Sequence, residues 1–262
     1  SAMIRNMIIA FSMFMSAALT VQVSALAGQK RTSEAAQLVV DSIRISILIG
    51  ILMPILTYFL RNYILQFLEC PAEYYDDSSK YVLCGSTLSL FSSVFSVLCG
   101  VLLGLGRSTY TGVLQIIAIA FPLCIVNPIL CFAVKAPLWS LGFSYVSGQS
   151  VLSIVLFVLF FMGKYSIKPT FRMFLEKPSE FLGTTIGKSA KYVIFIFAQV
   201  IPPFFLLKFL INAAEAAGIP ATTASQIFTT FIHPYSIIGT LASGFMAGFP
   251  SSAAYAYNAK LY

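Results

Sequence analysis

Charged side chains are scarce in this sequence, which has nine acids and one histidine among its 262 residues. They make up only 10% of the chain, whereas soluble domains carry about 25%, so a soluble globular protein is excluded. The single histidine, His233, has no acid and nucleophile grouped around it, and we therefore expect no enzyme. The basic residues are spread between apolar runs, so the net charge of +7 does not indicate a nucleic-acid partner.

Cysteine is also sparse, and its positions lack the spacing of a metal site. Most of the cysteines lie inside apolar runs, where small, buried, reduced thiols are common. We therefore expect neither a metal nor a cofactor; the five residues are Cys70, Cys84, Cys99, Cys124 and Cys131.

Long apolar runs are abundant instead, and hydrophobic residues make up 58% of the chain. Crossing a bilayer core takes about 20 apolar residues, and seven runs are long enough. Because lipid does not tolerate exposed sheet edges, the runs predict an all-α membrane protein, a polytopic bundle of about seven transmembrane helices. Such a chain is expected to be a multi-pass protein of a plasma or inner membrane. The runs cover approximately residues 3–27, 42–67, 81–105, 110–134, 138–162, 192–213 and 222–257.

The distribution of Lys and Arg indicates how the bundle is oriented. When the loops alternate across the membrane, most basic residues fall on one side, which the positive-inside rule assigns to the cytoplasm. That side includes the basic connection 164–191, which is longer than loops between helices usually are. We predict that it separates five spans in residues 3–163 from two spans in residues 192–262.

Polar side chains interrupt the fourth and fifth runs. Asn127 lies in the fourth, and a polar stripe of Ser144, Ser147, Gln149 and Ser150 lies in the fifth. Buried amides and hydroxyls in a membrane helix cost free energy unless they meet a partner or water. The short turn 135–137 makes the two helices antiparallel neighbours, with Asn127 and Ser147 at similar depth. We therefore predict that Asn127 and Ser147 share a polar cavity.

Two further residues are candidates for ligand contact. Gln199 lies just before a double proline in the sixth run, where a bent helix frees backbone carbonyls. The ring of Tyr145 can attract a cation. A structural role is the alternative for every candidate, because amides and hydroxyls also join helices by hydrogen bonds.

Four short motifs follow one another along the chain: a Val-Ser pair before small residues, a glycine-rich turn, an Asn-Pro step and a Gly-Phe-Ser segment. They occupy residues 23–28, 104–108, 127–130 and 141–144. In order and spacing, they resemble the multidrug and toxic compound extrusion (MATE) transporters from their second to their eighth helix. Residues 24–30 also resemble residues 252–260, each with small residues and then an amide and a lysine, as counterpart helices of two lobes would.

The resemblance implies part of a two-lobe transporter fold, with further helices on a longer chain. It implies export of organic, cationic or amphiphilic compounds by antiport with H⁺ or Na⁺ and alternating access. The implied partners are the lipid bilayer and a small organic substrate, and the substrate or ion site would include Asn127, Tyr145, Ser147, Ser150 and Gln199. Cys131 and Gln199 stand where some relatives carry carboxylates, so only amide, hydroxyl and carbonyl oxygens are available here.

Three other classes fit some of the same features. A lipid-linked saccharide flippase shares the architecture, but it would place Arg or Lys in its cavity to meet phosphates, and only Lys208 is a candidate. A seven-helix receptor fits the predicted span count, although the third span has no acid-Arg pair at its end. The chain could also be a fragment that transports nothing by itself.

Overall fold

The computed structural model describes residues 15–67, 70, 72–220, 223–224, 226–227, 230, 253 and 255–259. Within these ranges, some side chains are not described: those of residues 138, 145, 191–201, 203–204 and 207. All regular structure in the described ranges is helical, which confirms the predicted all-α class. The helices are α1 (Ser16–Gly28), α2 (Thr32–Phe67), α3 (Tyr75–Thr87), α4 (Ser89–Gly104), α5 (Ser108–Phe121), α6 (Leu141–Phe161) and α7 (Phe181–Ala216).

Several of these helices can cross a membrane, as the sequence predicts. Among the described residues, α2, α6 and the continuous stretch Ser108–Ala133 are each long and apolar enough to do so. Helices α3 and α4 together make a fourth candidate span, bent by 45° at Leu88. Much of the first predicted run, and most of the last, lies outside the described residues.

Two helices extend further than the apolar runs predicted. Helix α2 is continuous over 36 residues, about 54 Å, so the amphipathic segment 33–41 and the second span form one helix. Helix α7 begins at Phe181, well before the predicted span start at residue 192. In both helices, hydropathy marked only the part that would lie in lipid, while the helix itself continues into an amphipathic segment that packs on the bundle.

Helix α4 forms the centre of the bundle. Most of its residues are buried against α1, α2 and α6, and the core includes Leu19, Val39, Leu98 and Leu156, each fully buried. The outer faces carry large exposed apolar side chains, as expected of a surface that meets lipid tails. These include Leu48, Phe59, Ile116, Phe132 and Ile154.

One end of the bundle is basic. Helices α1, α4 and α6 end there, near Lys30, Arg31, Arg107 and Lys164, and we call it the basic end. The connection from α6 to α7 folds back onto this end instead of extending into solvent.

Apolar and aromatic contacts hold that connection in place. Ile167 and Tyr165 are buried in the main core, and the guanidinium of Arg107 lies 5.0 Å from the centre of the Tyr165 ring. The pKa of Tyr165 is raised above its ordinary value. Burial is the main cause, and a hydrogen bond with Tyr110 contributes less. The ring of Phe171, in a short 3₁₀ helix (Phe171–Phe174), stacks on Phe161 at 4.6 Å between centroids.

Candidate substrate and ion site

Asn127 lies between two turns of π-helix that continue α5. The first is Pro122–Val126 and the second is Ile129–Ala133. Pro122 and Pro128 lack a backbone N–H, so regular i to i−4 pairing cannot continue through this stretch and some carbonyls lose their helical donor. Such π-turns are rare and are frequently found at functional sites. Asn127 is therefore held at an irregular point of a membrane-crossing helix.

The direct partner of Asn127 is Ser144 on α6. The Ser144 hydroxyl donates a hydrogen bond to Asn127 Oδ1, and Ser144 is only 1% exposed. One turn further along α6, Gly148 brings the two helices into close approach. A Cβ added at Gly148 would lie 2.4 Å from the carbonyl oxygen of Ala118. The missing side chain at Gly148 thus sets the short helix separation that lets Asn127 and Ser144 meet.

A second polar pair lies deeper in the bundle. Four buried serines of α4 fall into two pairs whose members are four residues apart, so they share one face of that helix. They are Ser89, Ser92, Ser93 and Ser96. The Ser92 hydroxyl donates to Gln149 Oε1 on α6, while the Ser89 hydroxyl donates to the Gly50 carbonyl of α2 at 2.9 Å. We call the pairs Asn127–Ser144 and Gln149–Ser92 the amide–serine cluster.

The serines of α4 were not among the site residues predicted from the sequence. A usable signal was present, because four serines at helical spacing inside an apolar run mark one polar face.

The other predicted site residues lie close to this cluster or outside the described side chains. The hydroxyl of Ser147 donates to the Ser144 carbonyl at 2.6 Å, and that of Ser150 donates to the Val146 carbonyl at 2.8 Å. Both are half-buried and bonded to their own helix. The side chains of Tyr145 and Gln199 are not among those described. The structure thus pairs Asn127 with Ser144 rather than with Ser147, and the predicted shared cavity stays a prediction.

The amide–serine cluster offers neutral oxygen and nitrogen groups. Each amide accepts a hydrogen bond from a serine hydroxyl through its side-chain oxygen. Among the described residues, its NH₂ group has no protein partner. The cluster contains no carboxylate. Within the described part of the chain, no group of three or more His, Cys, Asp and Glu residues could hold a metal ion. None of the groups in the amide–serine cluster changes charge near neutral pH. The cluster can therefore form hydrogen bonds and can bind a hard cation through its oxygens.

At the basic end, α1 meets a helical segment near the C-terminal end of the sequence. The Gln29 side-chain amide donates to Asn258 Oδ1 at 2.8 Å. A Cβ added at Gly28 would lie 2.9 Å from the Tyr255 carbonyl oxygen and 3.2 Å from the Ala259 nitrogen. These residues belong to the two similar segments 24–30 and 252–260, so the repeat recognised in the sequence is joined in space. We call this the Gly28–Asn258 contact.

A family model described as MatE matches residues 1–132, half of the chain. No curated protein sequence matches the chain.

Solved structures of transporters share the fold. A MATE protein crystallised with MaL6 superposes with a TM-score of 0.78 at 15% identity, covering 96% of this chain and 54% of its own. An inward-facing multidrug resistance MATE family transporter of the MOP superfamily gives 0.76 at 17% identity, with 97% and 59% covered. A MOP superfamily transporter from Pyrococcus furiosus, described as having a binding pocket of reverse polarity, gives 0.74 at 14% identity, with 96% and 54% covered. The chain thus spans a little over half the length of these structures.

Proposed function

The chain belongs to the MatE family of multi-pass membrane transporters, and we propose that it exports organic, cationic or amphiphilic compounds by alternating access between two lobes. Residues 3–163 would supply the helices of the first lobe, and residues 192–262 the beginning of the second. A cation moving in the opposite direction would drive the export.

The observation that carries this proposal is the Asn127–Ser144 pair. It joins the two helices at a point where two prolines and two π-turns interrupt the otherwise apolar end of α5. A helix that served only to span the membrane would gain nothing from this irregularity. It leaves backbone carbonyls of α5 and the NH₂ group of Asn127 without a hydrogen-bond partner in the helix pair. A polar ligand crossing the bundle would supply those hydrogen bonds.

The chemistry of the amide–serine cluster favours Na⁺ over H⁺ as the coupling cation. A proton-coupled site needs a group that gains and loses a proton, and the amides and hydroxyls of this cluster do not do so near neutral pH. Hard cations bind neutral oxygens readily, and carbonyl, amide and hydroxyl oxygens are what Asn127, Ser144 and the π-turns offer.

The Gly28–Asn258 contact supports alternating access. It joins α1, in the first proposed lobe, to a segment of the second at the basic end, which the positive-inside rule assigns to the cytoplasm. A closed contact of this kind between counterpart helices is what a cytoplasm-closed state requires, and its opening would expose the site to the cytoplasm.

The surroundings of Lys208 argue against the lipid-linked saccharide flippase. Its ammonium group donates to the Phe67 carbonyl at 3.2 Å and lies 4.3 Å from the centre of the Phe67 ring. Lys208 was the one candidate for binding a phosphate in a central cavity. It instead contacts the end of α2, opposite the basic end. We therefore retain the exporter as the proposed function.

The substitution Asn127→Leu tests the proposal directly. In protein reconstituted into vesicles, we expect it to reduce Na⁺-driven efflux of a cationic dye by about tenfold or more, since a buried site that loses a hydrogen-bonding group forfeits roughly 1–3 kcal/mol. Efflux at several Na⁺ and H⁺ gradients, normalised to folded protein, is the measurement. Phe132→Leu is the control, because Phe132 lies in the same helical stretch and its side chain is 81% exposed; we expect unchanged efflux.

Two results would contradict the proposal. If Asn127→Leu lowered thermal stability but left the efflux per folded molecule unchanged, the pair would be a packing contact only. If efflux followed the proton gradient alone, Na⁺ coupling would be wrong even though export itself would stand.

A further inference from the structure

Three polar side chains of α2 reach the connection between α6 and α7. Gln37, Asp41 and Arg44 are spaced four and three residues apart, so they lie on one face of the helix. Between them they hold backbone groups of Met173, Glu176, Lys177 and Ser179. We call this set the α2 anchor. It lies at the basic end, apart from the amide–serine cluster.

Asp41 is the centre of the anchor. Its side chain is 1% exposed, which is unusual for a carboxylate. One oxygen accepts from Arg44 Nη1 at 2.6 Å and from Gln37 Nε2 at 3.2 Å. The other accepts from the backbone N–H of Ser179 at 2.6 Å. The charge is thus fully partnered, and one of its partners is the connection itself.

Arg44 extends the anchor to the 3₁₀ helix of the connection. Its Nη2 donates to the Met173 carbonyl at 2.5 Å and to the Glu176 carbonyl at 3.2 Å. Its guanidinium also lies 5.8 Å from the centre of the Phe174 ring. Carbonyls at the end of so short a helix have no partner within it, and a planar guanidinium can bond two of them at once.

Ser179 links the anchor to α7. While its N–H is held by Asp41, its hydroxyl oxygen accepts from the N–H of Phe181, the first residue of α7. The next two turns of α7 are also packed on the bundle, since Thr185 and Ser189 are fully buried. The position of the Asp41 carboxylate therefore fixes where α7 begins.

A buried ion pair adds little to stability compared with apolar side chains of similar size, because desolvation offsets the attraction. Its distinct effect is geometric: a buried charge tolerates only the arrangement that satisfies it. Asp41 and Arg44 would thus penalise any position of the connection that breaks these bonds.

We propose that Asp41 is a positioning residue that makes the connection a rigid part of the first lobe, so that the second lobe pivots within α7 and not along residues 162–180. This inference rests on the proposed alternating access. In such a cycle, a fixed pivot ensures that the transporter opens at one membrane face when it closes at the other. A loose connection would let the two lobes separate without this coupling.

Hydrogen exchange and transport together test the anchor. In Asp41→Ala we expect the backbone amides of residues 173–181 to exchange about tenfold faster or more, because Ser179 loses a charge-assisted hydrogen bond. Exchange in α4 should not change. Asp41→Asn keeps an oxygen for Ser179 and should fall between Asp41→Ala and the unaltered protein. Glu34→Gln is the control: Glu34 is on the same helix, but its ion pair with Arg31 is exposed.

The transport measurement separates positioning from simple stabilisation. In reconstituted vesicles, Asp41→Ala should lower the maximal efflux rate per folded molecule several-fold while the KM for the dye stays unchanged, because the substrate site is intact. Faster exchange throughout α1, α2 and α4, or unchanged exchange at residues 173–181, would overturn the proposal. So would a looser connection with an unchanged maximal rate. If the unaltered protein shows no efflux, the proposed function fails, and the exchange data alone still decide whether Asp41 fixes the connection.

Discussion

Replacing Gly148 with valine is expected to lower the stability of the protein, because it forces α5 and α6 apart. The position leaves no room, since even a Cβ would lie 2.4 Å from the Ala118 carbonyl oxygen and 3.0 Å from Pro122 Cδ. The nearest atom is backbone, so relief requires moving one helix away from the other. Overpacking of this kind costs about 3 kcal/mol or more, which corresponds to a fall of roughly 10 °C in apparent Tm.

A thermal-unfolding series in detergent measures this effect. Gly112→Val is the matched control, because Gly112 lies on α5 with no atom within 4 Å of an added Cβ; its Tm should change by only a few degrees. A Gly148→Val protein with the Tm of the control would mean that α5 and α6 do not approach closely here. The Asn127–Ser144 hydrogen bond, which needs that approach, would then be in doubt as well.

Replacing Gly28 with valine is expected to open the Gly28–Asn258 contact and to slow export about tenfold or more. The added side chain would overlap the Tyr255 carbonyl, so the closed basic end becomes less stable by about 1–3 kcal/mol. A shift of that size changes the ratio of closed to open molecules by roughly 5- to 150-fold. A cycle that needs both states slows when one of them is rarely populated.

Cross-linking reports the closed state directly. In a background without the five native cysteines, Gln29→Cys and Asn258→Cys should cross-link in high yield with a short bifunctional reagent, and Gly28→Val should lower that yield. Gly187→Val on α7 is the control, since an added Cβ there meets nothing within 4 Å. Equal yields and equal efflux in the Gly28 and Gly187 variants would show that the contact is not a gate.

The sequence by itself determined the class of protein and much of the family assignment. Apolar runs of about 20 residues leave few alternatives to membrane helices, because only helices and closed barrels satisfy the backbone in lipid. The spacing of small-residue motifs then carried the resemblance to MATE transporters, and the family model and the shared fold confirm it. The repeat at residues 24–30 and 252–260 could also be recognised from the sequence alone.

Side-chain partners were decided only by the tertiary structure. Depth along two antiparallel helices placed Asn127 near Ser147, but which serine it bonds depends on helix rotation, which the π-turns and Gly148 set. Hydropathy also misjudged the thiols: Cys99 is buried, whereas Cys124 and Cys131 are exposed on the outer face. An apolar run shows that a helix lies in lipid or in a core. It does not show which face of the helix contacts lipid and which face contacts a neighbouring helix.

Asp41 shows the same limit most clearly. In the sequence it ends an amphipathic segment before an apolar run, where a solvated carboxylate is the ordinary expectation. In the fold it is buried, because the connection 162–180 returns to the basic end and supplies the Ser179 N–H. That return depends on contacts between residues more than 130 positions apart. No local pattern encodes such contacts, so the packing of the bundle alone decided that this acid became an anchor.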